Sequence, residues 1–136
     1  MTTINVPIGP PYGTIPVNIS VICAAIPDPA SPAAASDLLI DSAGGRSINA
    51  LVEIAEIGRM LGIDFVEFTA ADQARSTCFV HQKTWVSIVP HPQIDAVSQI
   101  NFANRRPLAV VGTVKDVLAR LERGPAAKSA KRAPAR

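Results

Sequence analysis

Five short apolar segments follow one another between Ile63 and Gly112: "IDFVEFT", "STCFVHQ", "TWVSIVP", "AVSQINF" and "PLAVVG". None exceeds seven residues, and short polar connections separate them. Segments this brief, rich in Val, Ile, Phe and Thr and spaced this evenly, predict a compact antiparallel sheet or a partly open barrel. The chain then runs into "TVKDVLARLERG", where Thr113 is placed to cap a helix, Val114, Val117, Leu118 and Leu121 form an apolar stripe, and Gly124 supplies a stop. Aromatics are only 4% of the 136 residues, so the core has to be built from Ile, Val, Leu and Ala. At 48% hydrophobic, a chain of this length supports one main core. The expected class is α+β, with the C-terminal helix packed on the sheet.

The first third reads differently. "TINVPIGPPYGTIPVNISVICAAI" (Thr3 to Ile26) is two extended pieces around Gly9-Pro10-Pro11-Tyr12-Gly13, and Ile15, Val17, Ile19, Val21 and Cys23 share one parity of the second. "PDPASPAAAS" has three prolines and no periodicity, as a linker or surface excursion has. Residues 1–36 are therefore expected to be an extended β arm with a proline-rich linker, 37–124 a compact domain and 125–136 a basic flexible tail. One further helix is predicted near 47–61: Ser47 stands as its N-cap, Ile48, Leu51, Val52, Ala55 and Leu61 fall on one stripe, and Gly62 ends it. The Gly44-Gly45-Arg46-Ser47 run before it lacks phosphate-loop spacing and reads as a capping turn.

"STCFVHQKTWVSIVPHP" (Ser76 to Pro92) holds both histidines, the only tryptophan and one of two cysteines. If Gln82-Lys83-Thr84 is the loop of a hairpin, Cys78, Val80, Val86 and Ile88 form one apolar face and are core. His81 and His91 lie on the other parity, roughly 20 Å apart at a rise of about 3.4 Å per residue, too far to share a metal. Cys78 faces away from both, which removes a Cys–His nucleophile pair. No serine has an elbow motif, and no carboxylates are paired for acid–base work. The expectation is no catalytic residue, no metal site and no cofactor. Cys23 and Cys78 sit in apolar runs without a nearby partner and read as buried free thiols of a reducing compartment. The N-terminus lacks the pattern of a signal peptide and no run is long enough for a membrane span, so a cytoplasmic protein, or one inside a particle assembled there, is expected.

Charge is uneven. Lys128, Lys131, Arg132 and Arg136 lie in the last twelve residues without an acid, leaving nine bases against 11 acids in the rest. The tail is too polar to order itself and reads either as a solubilising terminus or as an electrostatic arm for nucleic acid or an acidic partner. Arg105 and Arg106, in "NRRP" between two strands, read first as a solvated turn and second as phosphate contacts.

From Phe65 to Glu122 the chain is similar to the small flagellar FlbD-like proteins. The likeness lies in the order of "FVEFT", the paired "CFVHQKTWVSIVP", and "QINFANRRPLAVVGTVKDVLARL", in which a strand, a basic turn and a strand run into a helix. "PHPQIDAV" and "VVGTV" depart from that pattern, and the first 60 residues have no counterpart. The resemblance implies a non-enzymatic assembly or regulatory role and carries over no binding residue. Together with an arm suited to adding a strand to a neighbour's edge, it makes a homo-oligomeric structural protein of a bacterial or bacteriophage particle (capsid, tail or appendage) the leading expectation. A small nucleic-acid-binding regulator using the basic tail is the alternative, and a small enzyme or ligand binder with a site between subunits the third.

Overall fold

The computed structural model describes residues 3–42, 44–72 and 74–132, with side chains placed as far as Arg123. Among these residues the chain forms ten strands and two α-helices: β1 (Thr3–Gly9), β2 (Gly13–Asn18), β3 (Ile22–Pro27), β4 (Ser36–Ile40), β5 (Ser47–Ala50), α1 (Ile54–Leu61), β6 (Phe65–Thr69), β7 (Thr77–His81), β8 (Ser87–Pro90), β9 (Val97–Asn101), β10 (Leu108–Val111) and α2 (Val114–Arg132). All pairings are antiparallel, in three sheets: β1-β2, β5-β4-β3-β7-β6 and β10-β9-β8. The α+β class holds, with three small sheets in place of the single sheet or barrel read from the sequence.

The five-stranded sheet is the middle layer, and its central strand shows why. Ile22-Cys23-Ala24-Ala25 is buried at every position, as a strand must be when both faces of its sheet are covered. Cys23 and Ala24 join Val66, Phe68, Cys78 and Val80 in one core, closed by Ile100 and Val110 of the three-stranded sheet and by Val117 and Leu121 of α2. Ala25, Leu38 and Phe65 point to the other side, where Val6 and Val17 of the β1-β2 hairpin and Ile57 and Leu61 of α1 complete a second core. Fully burying one such aliphatic side chain contributes about 1.5–3 kcal/mol. A bridge between Ala70 and Val110 links the five-stranded sheet to the three-stranded one.

Several expectations are corrected here. The N-terminal arm folds back as a hairpin whose Val6 and Val17 share a core with the sheet and α1. "PDPASPAAAS" closes a β3-β4 hairpin, with the Asp28 N–H donating to the Ala35 carbonyl at 3.0 Å. Ser47 caps no helix: Ser47–Ala50 pairs with β4 from Leu39 to Ser36, and α1 starts only at Ile54. The helical spacing of Ile48, Leu51 and Val52 is overruled because the hairpin satisfies strand hydrogen bonds that an earlier helix start would forfeit. Leu51, placed on the apolar stripe by its spacing, is 52% exposed.

The Gln82-Lys83-Thr84 turn does not make a hairpin. It carries the chain from β7, between β3 and β6, across to β8, which pairs with β9 in the other sheet. Cys78 and Val80 are fully buried as expected, but Val86 is 61% exposed. At the C-terminus the Thr113 hydroxyl accepts from the Asp116 N–H at 3.2 Å, the cap expected there. Arg120 fastens α2 to β6, donating to the Glu67 carbonyl and lying 4.6 Å over the Phe68 ring. α2 continues past Gly124 to Arg132.

Candidate functional site

The groups with the most reactive potential are committed to structure. His81 is buried, stacks edge-on against Phe65 at 4.9 Å, and accepts the Lys83 N–H at its Nδ1. Burial holds its pKa below the usual 6.5, with Asp64 pulling it up and Lys83 pushing it further down. His81 is thus a buried residue at the end of β7. At His91, Nδ1 accepts the N–H groups of Gln93 and Ile94 at 3.1 Å each and so folds its own loop. Burial pushes the Cys23 thiol up to about 11 and the Cys78 thiol to about 12, in both cases aided by nearby carboxylates, and both cysteines are free and buried. Such thiols carry little thiolate near neutrality. Among the described residues no group of His, Cys, Asp and Glu is placed to hold a metal ion.

A charged surface is built by two loops. Gly44 (φ +93°) and Gly45 (φ +62°) take left-handed conformations in the β4-β5 turn, which brings the exposed Arg46 next to the 102–107 connection between β9 and β10. That connection carries Asn104, Arg105 and Arg106. Asp41 bridges the two loops: its carboxylate accepts the backbone N–H of Ala103 at 3.2 Å and of Asn104 at 2.7 Å. Arg105 reaches the opposite way, with Nη1 donating to the carbonyls of Ile40 at 3.0 Å and Arg46 at 2.5 Å. The two loops line an open cleft of about 800 Å³, walled by Gly44, Gly45, Asn104, Arg105 and Arg106 and floored by Ile26 and Leu39. Asp37 lines the cleft with Arg105 and Arg106, while Asp41 and Arg46 stand in the adjoining turn. Asp41 is engaged with backbone amides and Asp37 with the Asn49 side-chain amide.

Of the six residues singled out in the sequence, Arg105 and Arg106 are brought together here, Arg106 exposed and Arg105 half-buried with its guanidinium on backbone carbonyls. Lys128, Lys131, Arg132 and Arg136 lie outside the residues whose side chains are described. Arg46 was missed because it sits in what reads as a helix cap. The signal that finds it is the Gly44-Gly45 pair taken as a hairpin turn between "DLLID" and "SINA".

No protein-family model matches the sequence, and no curated protein matches it either. The fold is similar to the solved structure of a LytTr DNA-binding domain from Bacillus cereus, with a TM-score of 0.59 and 13% identity over 90% of this chain and 97% of that one. This overturns the FlbD-like resemblance: the matched fold takes in nearly the whole chain, whereas that resemblance began at Phe65 and had no place for the first 60 residues. It also removes the ground for a structural protein of a bacteriophage or bacterial particle. That reading rested on a strand-donating arm, and the arm is an internal hairpin of a fold shared with a DNA-binding domain. No described helix is long and apolar enough to cross a membrane.

Proposed function

We propose that this chain is a non-catalytic nucleic-acid-binding regulatory module that grips the phosphate backbone through the Arg46–Arg106 surface and the basic C-terminal segment. The observation that carries the reading is the likeness of the fold, over 90% of the chain, to a domain described as DNA-binding. The two-loop arginine surface agrees with it. A guanidinium presents a planar fork of N–H donors that matches phosphate oxygens bidentately. Arg46 and Arg106 are the contacts in this reading, because their side chains are exposed. Lys128, Lys131, Arg132 and Arg136 add a sequence-independent electrostatic term.

Phosphate contacts give affinity, and base-edge contacts give sequence preference. The test is selection of duplex DNA from a random pool by the full chain, followed by sequencing. Enrichment of a short common site supports a regulator; a pool that stays random while binding persists limits the chain to backbone contacts; and failure to retain any DNA at low salt rejects the reading.

A further inference from the structure

We propose that Asp41 and Arg105 are positioning residues that lock the 102–107 loop onto the β4-β5 turn and so set the spacing of Arg46 and Arg106 on the nucleic acid; this rests on the nucleic-acid reading above. The two contacts run in opposite directions across the same gap. Asp41, just beyond β4, holds the amides of Ala103 and Asn104, while Arg105 returns to the carbonyls of Ile40 and Arg46. Each loop thus has its backbone satisfied by a side chain of the other. Arg105 ties the carbonyl of Arg46 itself, so the backbone of one proposed contact is anchored by the chain neighbour of the other. A Cβ at Gly45 would lie 3.8 Å from Arg105 Nη1, so the clamp is seated directly on the turn.

The proposal differs from simple electrostatics in the sign of an effect. Asp41 is an anion beside a phosphate-binding surface, so its removal on charge grounds alone strengthens binding. As a positioning residue it does the reverse: without it the amides of Ala103 and Asn104 lose their acceptor, the loops part, and the two arginines no longer match one phosphate spacing. Arg105→Lys separates the same two ideas, since it keeps the charge but its ammonium ends one bond short of Nη1, the atom that donates to both carbonyls.

The experiment is fluorescence anisotropy of the full chain with a short labelled mixed-sequence DNA duplex at about 50 mM salt. It is run beside amide hydrogen exchange at Ala103 and Asn104 and thermal melting. Asp41→Ala and Arg105→Lys are each expected to weaken binding about tenfold, the loss typical of a specific contact, with Asp41→Ala deprotecting both amides and leaving the melting temperature nearly unchanged. Asp41→Asn keeps one acceptor oxygen but sets an NH2 donor against the second amide, so it is expected to protect one of the two amides and to bind between the wild type and Asp41→Ala. Tighter binding by Asp41→Ala, or unchanged binding by Arg105→Lys, overturns the positioning role while the nucleic-acid reading stands. No binding by the wild type overturns both.

Discussion

Gly58 lies inside α1, where alanine is ordinarily the better residue by about 0.8–1 kcal/mol. Here the substitution is expected to destabilise. A methyl group at Gly58 would meet the Phe79 ring at 2.2 Å from Cζ and 2.7 Å from each Cε. Carbon atoms rest at about 3.5–4.0 Å, so the ring or the helix has to shift by more than about 1 Å. Phe79 comes from β7 and packs, half-buried, against the core that α1 shares with the five-stranded sheet, and the clash is with the ring, which has no flexible end to swing aside. Over-packing of this kind costs about 1–3 kcal/mol. Set against the propensity gain, the net loss for Gly58→Ala is about 0–2 kcal/mol, read by urea denaturation as a lower midpoint at unchanged slope. The control is a double-mutant cycle with Phe79→Ala: once the ring is gone, Gly58→Ala should become stabilising by about 1 kcal/mol. Greater stability of Gly58→Ala in the wild-type background would refute the packing argument, as would the same change in both backgrounds.

Other expectations follow from burial and ionisation. Val80→Asp forces a carboxylate into a site with no exposure and should cost several kcal/mol, enough to unfold a small domain, whereas Val86→Asp, 61% exposed, should shift stability by about 0.5 kcal/mol or less in the same melts. Cys23 and Cys78 should resist a thiol reagent in the native protein and both react in denaturant; rapid native labelling would contradict their burial. Both thiols titrate higher folded than unfolded, so the native state holds its protons longer and stability should fall as pH rises above 9.0, a decline that Ser at both positions should blunt. His81 titrates lower folded than unfolded, so the unfolded state takes the proton first; stability should fall as pH drops below about 6.5, and His81→Gln should flatten that arm of the profile.

The sequence reveals strands better than it reveals their neighbours. Alternation at Cys78, Val80 and Ile88 identifies β7 and β8, but parity cannot say that β7 joins β3 and β6 while β8 crosses to β9, so Val86 reads as core and is exposed. At Ser47–Ala50 the spacing of Ile48, Leu51 and Val52 fits a helix, and only pairing with β4 makes the segment a strand. The candidate site was half visible for the same reason. Arg105 and Arg106 stand out as a basic pair between strands, but Arg46 and Asp41 enter only when the β4-β5 turn is folded beside them, more than 50 residues away in the chain. That Arg105 is spent on carbonyls is a fact of that juxtaposition and has no local signature.

The central claim is that the chain binds nucleic acid through these charges, and the salt dependence of duplex binding tests it most directly. Each phosphate neutralised contributes about −0.9 to the slope of log K against log salt. The four basic residues of the tail and the exposed pair Arg46 and Arg106 together set a limit near −5. The account predicts a slope between about −3 and −5 for the full chain, less steep by about 1 for each of Arg46→Ala and Arg106→Ala and flattest when residues 125–136 are removed. Affinity that is independent of salt, or unaltered by all three changes, would contradict it.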